Sequence, residues 1–304
     1  MTGDRIALAV DDHGGDGPPL LLLHGAGRTL ADWAAVAPLL VRHHRVLAVD
    51  LRGHGRSPSG TWSLPRVLGD IETLLEEYGI PGALPVGHSL GGMIAVRYAL
   101  EHPDVTPGAV NLDGYGWGRP DQYVGLDREY VEQRLTQVRE WAATTLLREP
   151  LPADDLKVLL AQRRAMSEQL GIPYELLETC LLRSVHTTSD GRLEFRPERP
   201  HALEMLAEID SLDLFDLFGR MRRPLLLGRA LRPVPSIPGA DWFDELMTAY
   251  GKGLARDLAA LAERRADVTV VGIDGTHEML LENPRAAAAA IIAFASEALA
   301  GFTS

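Results

Sequence analysis

The residues of this 304-residue chain that most directly suggest chemistry are Gly87-His88-Ser89-Leu90-Gly91. A serine hydroxyl is a weak nucleophile until a base takes its proton, and it must stand on a turn that lets a substrate approach. The pattern G-x-S-x-G meets the second need when a strand runs into it and a helix leaves it. Its glycines make room for a sharp, strained turn, the serine is exposed, and the backbone N–H of Leu90 points at the oxygen of a reacting carbonyl. Both flanks fit, since residues 83–88 are a short apolar run and "GGMIAVRYALEH" has helical spacing. The bland reading is a glycine-rich turn before a helix, so the rest of the chain must decide.

Residues 20–23, 45–50 and 83–88 are apolar runs suited to strands buried on both faces, and helix-like stretches lie between them. A further short strand is expected at residues 5–10, followed by the turn-rich "DDHGGDGPP". Strands alternating with helices imply an α/β fold with a mostly parallel twisted sheet flanked by helices. Function in such a sheet is expected beyond the carboxyl ends of its strands, here the loops after Leu23, Asp50, Val86, Leu112, Leu227 and Ile273. Between Gly114 and about Asp210 apolar residues recur three and four apart, which predicts a helical insertion. Residues 222–228 and 267–274 then restore strands, with a helical stretch around 254–265 between them. The Ala-rich end reads as a closing helix with Pro284 in its first turn.

Four motifs stand in a fixed order: "LLLLHGAGRTLADW", "VLAVDLRGHGRSPSG", the Ser89 pentapeptide and "GTHEMLLENP". Together they resemble the α/β-hydrolase fold family over nearly the whole chain outside the insertion. The resemblance implies that Ser89 is the nucleophile, His277 the general base, and the Ala26 N–H the second oxyanion donor beside Leu90. It implies supporting roles for His88 at the turn, His24 in the oxyanion loop and His54 in "RGHGRS". It further implies a hydrolase core at residues 1–113 and 211–304, with residues 114–210 as a helical cap over the nucleophile.

The third group, a carboxylate to orient His277, departs from the commonest pattern. In many relatives it follows the strand corresponding to "PLLLG", but here Arg229-Ala230-Leu231-Arg232-Pro233 follow, with no carboxylate before Asp241. "GAVNLDGYGWG" offers a replacement at the strand after the nucleophile helix, where Asp113 precedes Gly114. The zearalenone-lactone hydrolase and one subgroup of haloalkane dehalogenases carry their acid at this strand end, so Asp113 is the assigned acid and Asp241 its competitor. Asp274 is read as organising the turn before His277, and Asp50 as structural.

A serine at the elbow disfavours the haloalkane and epoxide chemistries of this fold, which proceed through an ester on Asp. Acyl transfer from an ester, lactone or thioester to water fits better. Within the family, cleavage of a C–C bond in a diketone is the alternative; outside catalysis by hydrolysis, a small-molecule receptor or a cyclising enzyme is. Tyr115, Trp117, Trp141 and Met166 are the candidate substrate contacts, with an apolar or polyketide-like small molecule as the expected ligand. A net charge of −12 disfavours nucleic acid as a partner. Cys180 is the single cysteine and reads as packing, no cofactor or metal is expected, and the start shows no basic-then-apolar leader. No run of about 18 apolar residues suggests a membrane span. A compact cytoplasmic protein is expected, with its oligomeric state open.

Overall fold

The computed structural model describes residues 5–233, 236 and 239–302. The chain runs through β1 (Val10–Gly14), β2 (Pro19–Leu23), α1 (Ala37–Leu40), β3 (Arg45–Val49), α2 (Leu64–Glu77), β4 (Leu84–His88), α3 (Leu90–Glu101) and β5 (Ala109–Leu112). An insertion follows: α4 (Arg128–Leu146), α5 (Leu156–Leu170), α6 (Tyr174–Ser184), β6 (Val185–Thr187), β7 (Leu193–Phe195) and α7 (Arg199–Asp210). The remainder is α8 (Leu214–Arg220), β8 (Leu225–Ala230), α9 (Asp241–Arg264), β9 (Val268–Ile273), α10 (Met279–Glu282) and α11 (Pro284–Phe302). The main sheet has the order β1-β3-β2-β4-β5-β8-β9, parallel throughout except for β1 on β3.

The continuous apolar runs are explained by this sheet having both faces covered. Alternate residues go opposite ways: Leu20, Leu22, Val46 and Ala48 pack with Ala37, Leu40, Ile291 and Phe294. Leu21, Leu23, Leu47 and Val49 pack with Val67, Ile71, Ile94 and Ala95 on the other side. Each such side chain contributes about 1.5–3 kcal/mol by leaving water. The site loops therefore sit on a scaffold that is dry on both faces.

Three elements differ from the sequence expectation. β1 starts at Val10 and includes Asp11–Gly14, residues that read as a turn. It is an edge strand, so polar side chains are tolerated, and Asp12 meets Arg45 of β3 at 3.2 Å. The N–H groups of residues 6 and 9 take side-chain acceptors instead of backbone ones, Ile6 on Asp70 and Ala9 on Ser57, while the Ala9 carbonyl still accepts the Asp50 N–H. α9 begins at Asp241, well before the stretch read as helical. Gly251 and Gly253 obscure its period, and Gly253 is there because a Cβ would stand 1.7 Å from the Gln122 carbonyl oxygen. The insertion also contains the antiparallel hairpin β6–β7, too short to register as an alternating pattern.

By length and composition α11 is apolar enough to cross a membrane. In the fold its Ala287, Ile291, Phe294 and Ala295 belong to the core beside α1. The insertion is fastened to the core by polar contacts. Arg183 of α6 reaches the fully buried Asp50 at 2.8 Å, Arg196 donates to the Gly55 and Ser57 carbonyls, and the Trp62 N–H donates to Glu204 at 2.7 Å.

Candidate active site

At the end of β4 the chain turns into α3 through Ser89, whose φ of 53° and ψ of −122° are costly for a residue with a side chain. Close packing enforces the turn: a Cβ on Gly87 would stand 2.0 Å from the Gly91 backbone, and one on Gly91 would stand 2.2 Å from the Leu23 carbonyl oxygen. The Ser89 N–H donates to the Leu112 carbonyl at 2.9 Å, tying the elbow to β5. The loop after β2 faces the hydroxyl, since a Cβ on Gly25 would lie 3.6 Å from Ser89 Oγ. Among the described residues, neither the Ala26 nor the Leu90 N–H has a protein acceptor, whereas those of Gly27 and Ser89 do.

Two histidines order that loop. His54 Nε2 accepts the Gly27 N–H at 3.1 Å, while its Nδ1–H donates to the Arg52 carbonyl. Burial pushes His54 down to about 3, so it stays neutral and keeps that acceptor. His24 accepts the Leu51 N–H at 2.9 Å and donates to the Gly25 carbonyl at 2.8 Å. Asp50 accepts the Leu30 and Arg56 N–H groups and the Arg183 guanidinium.

Asp113 leaves β5 with φ 56°, and its two carboxylate oxygens are separately engaged. Oδ2 lies 2.8 Å from His277 Nδ1, and Oδ1 accepts the Ala230 N–H at 2.9 Å. The turn is clamped by Asn111, whose side chain bonds both the N–H and the carbonyl of Gly114 at 2.8 Å. A Cβ on Gly114 would stand 2.2 Å from the Ser89 carbonyl oxygen, so this exit and the elbow are packed as one piece. Burial alone would raise the Asp113 carboxyl; the His277 hydrogen bond and charge and the Ala230 N–H outweigh it and hold it below the usual range. Burial likewise opposes protonation of His277, but Asp113 outweighs it and raises the imidazole above 6.5. The His277 side chain is 44% exposed, open to a substrate.

His88 does more than support its own turn. Its Nε2–H donates to the His277 carbonyl at 2.9 Å and its ring lies 4.6 Å from the His277 ring, so it couples the end of β4 to the loop after β9. Burial holds His88 well below its ordinary value, which keeps a second charge away from His277.

Two residues that sequence reasoning passed over border this cluster. Arg28 donates through Nε to Asp32 at 2.7 Å and through both terminal nitrogens to Glu278 at 3.1 and 2.6 Å. The available signals were a basic residue four positions after His24 and an acidic one directly after His277.

Other carboxylates stand apart from His277. Asp241 is exposed in the first turn of α9, and Asp274 is 76% exposed and faces Arg232 at 3.2 Å. The four candidate substrate contacts are not gathered into one wall. Tyr115 is buried and donates its hydroxyl to the Gly228 carbonyl at 2.9 Å. Trp117 and Trp141 are 42% and 46% exposed, Trp141 lying edge-on to Phe243. Met166 packs with Ile172, Leu177 and Leu281. Helical spacing could not distinguish these environments, because it fixes a face without saying what covers it. Cys180 lies between α6 neighbours beside Asp32, where burial pushes the thiol far up.

A strained serine on a strand-to-helix elbow, a histidine–carboxylate pair spanning the ends of β9 and β5 on either side of β8, and two unengaged N–H groups define the class of site found in α/β hydrolases. The chain belongs to the alpha/beta hydrolase fold family, whose profile matches residues 18–147. The pimeloyl-[acyl-carrier protein] methyl ester esterase of Methylococcus capsulatus is 33% identical over 262 residues, 83% of this chain and 87% of the relative. A fluoroacetate dehalogenase of a Burkholderia species is 41% identical over 107 residues, 33% of this chain and 35% of the relative. Several relatives are thus matched over only about a third of their length. Among solved structures, E-2-(acetamidomethylene)succinate hydrolase superimposes with a TM-score of 0.68 at 21% identity, covering 96% of both chains, and shares the fold.

Proposed function

We propose that the chain is a serine hydrolase that cleaves a carboxylic ester, lactone or thioester of a small molecule through an acyl-enzyme on Ser89. The observation that carries this reading is the 2.8 Å contact between Asp113 and His277 Nδ1, which leaves Nε2 as the ring nitrogen available to a serine. His277 takes the Ser89 proton as Oγ attacks the carbonyl carbon, and the Ala26 and Leu90 N–H groups hold the oxyanion. His277 then protonates the leaving alcohol or thiol, and afterwards removes a proton from the water that releases the acid. Asp113 keeps the imidazole in the required tautomer and stabilises its transient charge.

The relatives' names divide between ester cleavage and dehalogenation, and the nucleophile favours the first. Displacing a halide onto serine would leave an ether that water does not release, whereas an acyl-serine is readily hydrolysed. In this reading residues 114–210 act as a cap. Leu177 and Leu181 of α6 line a cavity of about 40 Å³ with Gly27, Arg28, Asp32 and Arg163, which brings α6 beside the oxyanion loop. The test is hydrolysis of p-nitrophenyl esters together with a fluorophosphonate probe. A burst of nitrophenol and a mass increment on the Ser89 peptide are expected; turnover with no increment there would sink the mechanism.

A further inference from the structure

One guanidinium joins two segments from opposite ends of the chain. Arg28 follows β2 and holds Asp32, which is 1% exposed in the turn Leu30–Trp33. The same group grips both oxygens of Glu278, which directly follows His277. Its stem passes the nucleophile: a Cβ on Gly25 would meet Arg28 Cγ at 3.4 Å and Ser89 Oγ at 3.6 Å. The pair is sheltered, with side-chain exposures of 27% and 17%.

We propose that Arg28 and Glu278 are a positioning pair for the reaction at Ser89, their bidentate ion pair holding the loop that carries Ala26 in register with the loop that carries His277. This rests on the reading of Ser89 and His277 as nucleophile and base. A bidentate fork fixes direction as well as distance. Register matters here because a misplacement of about 1 Å in a reacting group can cost about 10²-fold in rate. His88 secures the His277 carbonyl and Asp113 its ring; Arg28 and Glu278 supply the missing link, from base loop to oxyanion loop.

The pair also sets the charge around the base. The groups facing His277 are Asp113 from β5, His88 from β4, Glu278 on its own loop and Arg28 from the loop after β2. Burial and Arg28 favour the neutral ring, while Asp113 and Glu278 favour the charged one. Removing Glu278 or Arg28 must therefore move the titration of His277 in opposite directions. A pair remote from the base would give no such signature, and a pair that served stability alone would keep full kcat in a folded variant that retains both charges.

The experiment compares Glu278→Gln, Arg28→Met and Arg28→Lys with the wild type in kcat/KM against pH for a p-nitrophenyl ester, beside the imidazole NMR titration of His277. Both neutralising variants are expected to lose 10- to 100-fold in kcat with KM changed less than about threefold. The acid limb should move down in pH for Glu278→Gln and up for Arg28→Met. Arg28→Lys should keep the limb near wild type yet lose about tenfold in kcat, because an ammonium does not reproduce the fork. It also guards against loss of fold in Arg28→Met, where Asp32 is stranded. Limbs that stay put or move the same way, or full kcat in Arg28→Lys, would overturn the proposal. A wild type that neither hydrolyses esters nor takes the fluorophosphonate would instead sink the hydrolase reading, and the NMR titration would still decide whether the pair controls His277.

Discussion

β5 exits through Asn111-Leu112-Asp113-Gly114, and its parallel neighbour β8 exits through Gly228-Arg229-Ala230-Leu231, with Leu112 paired to Gly228. The first exit presents a carboxylate from a residue at positive φ, and the second presents none. β8 instead supports the first: its Gly228 carbonyl accepts the Asp113 N–H at 2.8 Å, its Ala230 N–H donates to the carboxylate, and Gly228 also accepts the Tyr115 hydroxyl. Neighbouring strands are only about 4.8 Å apart, so either exit lies within reach of one imidazole. What makes an exit usable is a turn that aims the carboxylate and donors that hold it, and here Asn111, Gly114 and Ala230 provide both for β5.

Both exits matter only if they serve Ser89, and the largest expected effect tests that. Ser89→Ala is expected to lower ester turnover by at least about 10⁴-fold while leaving the circular dichroism unchanged, since the glycines set the turn. Near-wild-type rates would remove the purpose from both strand ends. Next comes the proposed acid. Asp113→Asn preserves shape but reverses the hydrogen-bonding requirement at His277 Nδ1, so kcat should fall about 10⁴-fold. The same variant should also change the pH dependence. A general base works when neutral, and His277, the proposed base, is raised above 6.5, so wild-type kcat/KM should decline as pH falls through a value above 6.5. Without the carboxylate, burial prevails and the limb should shift to lower pH. An unmoved limb would mean that another group raises His277.

The strands that carry the site were legible because burial on both faces leaves unbroken apolar runs, and the elbow because glycine is the only residue its close approaches admit. The pairing of Asp113 with His277 was legible through an absence, the missing carboxylate after Gly228, joined to a glycine at the next exit. Arg28 and Glu278 were not, because their meaning lies in a contact across 250 residues that neither local sequence announces. The surroundings of the candidate substrate contacts were least legible: the apolar pattern of α4 and α5 is the same whether a side chain faces a neighbour, a cavity or water, and Trp117 and Trp141 are exposed. β1 was shifted because edge strands carry polar residues that resemble turns.

Tyr115 tests how far β8 supports β5 at a smaller scale. Its buried hydroxyl bonds the Gly228 carbonyl, the same oxygen that receives the Asp113 N–H. Tyr115→Phe removes one donor and leaves that carbonyl a remaining partner, so a loss of about 1 kcal/mol in stability is expected, read as a lower midpoint in urea. Turnover should fall far less than in Asp113→Asn. A collapse of kcat with unchanged stability would move Tyr115 from the scaffold into the chemistry.

The smallest expected effect belongs to the carboxylate that sequence alone could not eliminate. Asp241 also lies between Ser89 and His277 in the chain, so order cannot separate it from Asp113. The structure sets it in the exposed first turn of α9, where a carboxylate near helix N–H groups gains a few tenths of a kcal/mol. Exposed substitutions of this kind change stability by no more than about 0.5 kcal/mol. Asp241→Asn should therefore keep kcat and the acid limb within about twofold and 0.2 pH units of wild type, limits set by that energy. Measured beside Asp113→Asn, it makes the contrast quantitative: about 10⁴-fold against about twofold. The reverse outcome, with Asp241→Asn inactive and Asp113→Asn near wild type, would return the acid to the segment after β8 and leave the hydrogen-bonded Asp113 as a brace for its loop.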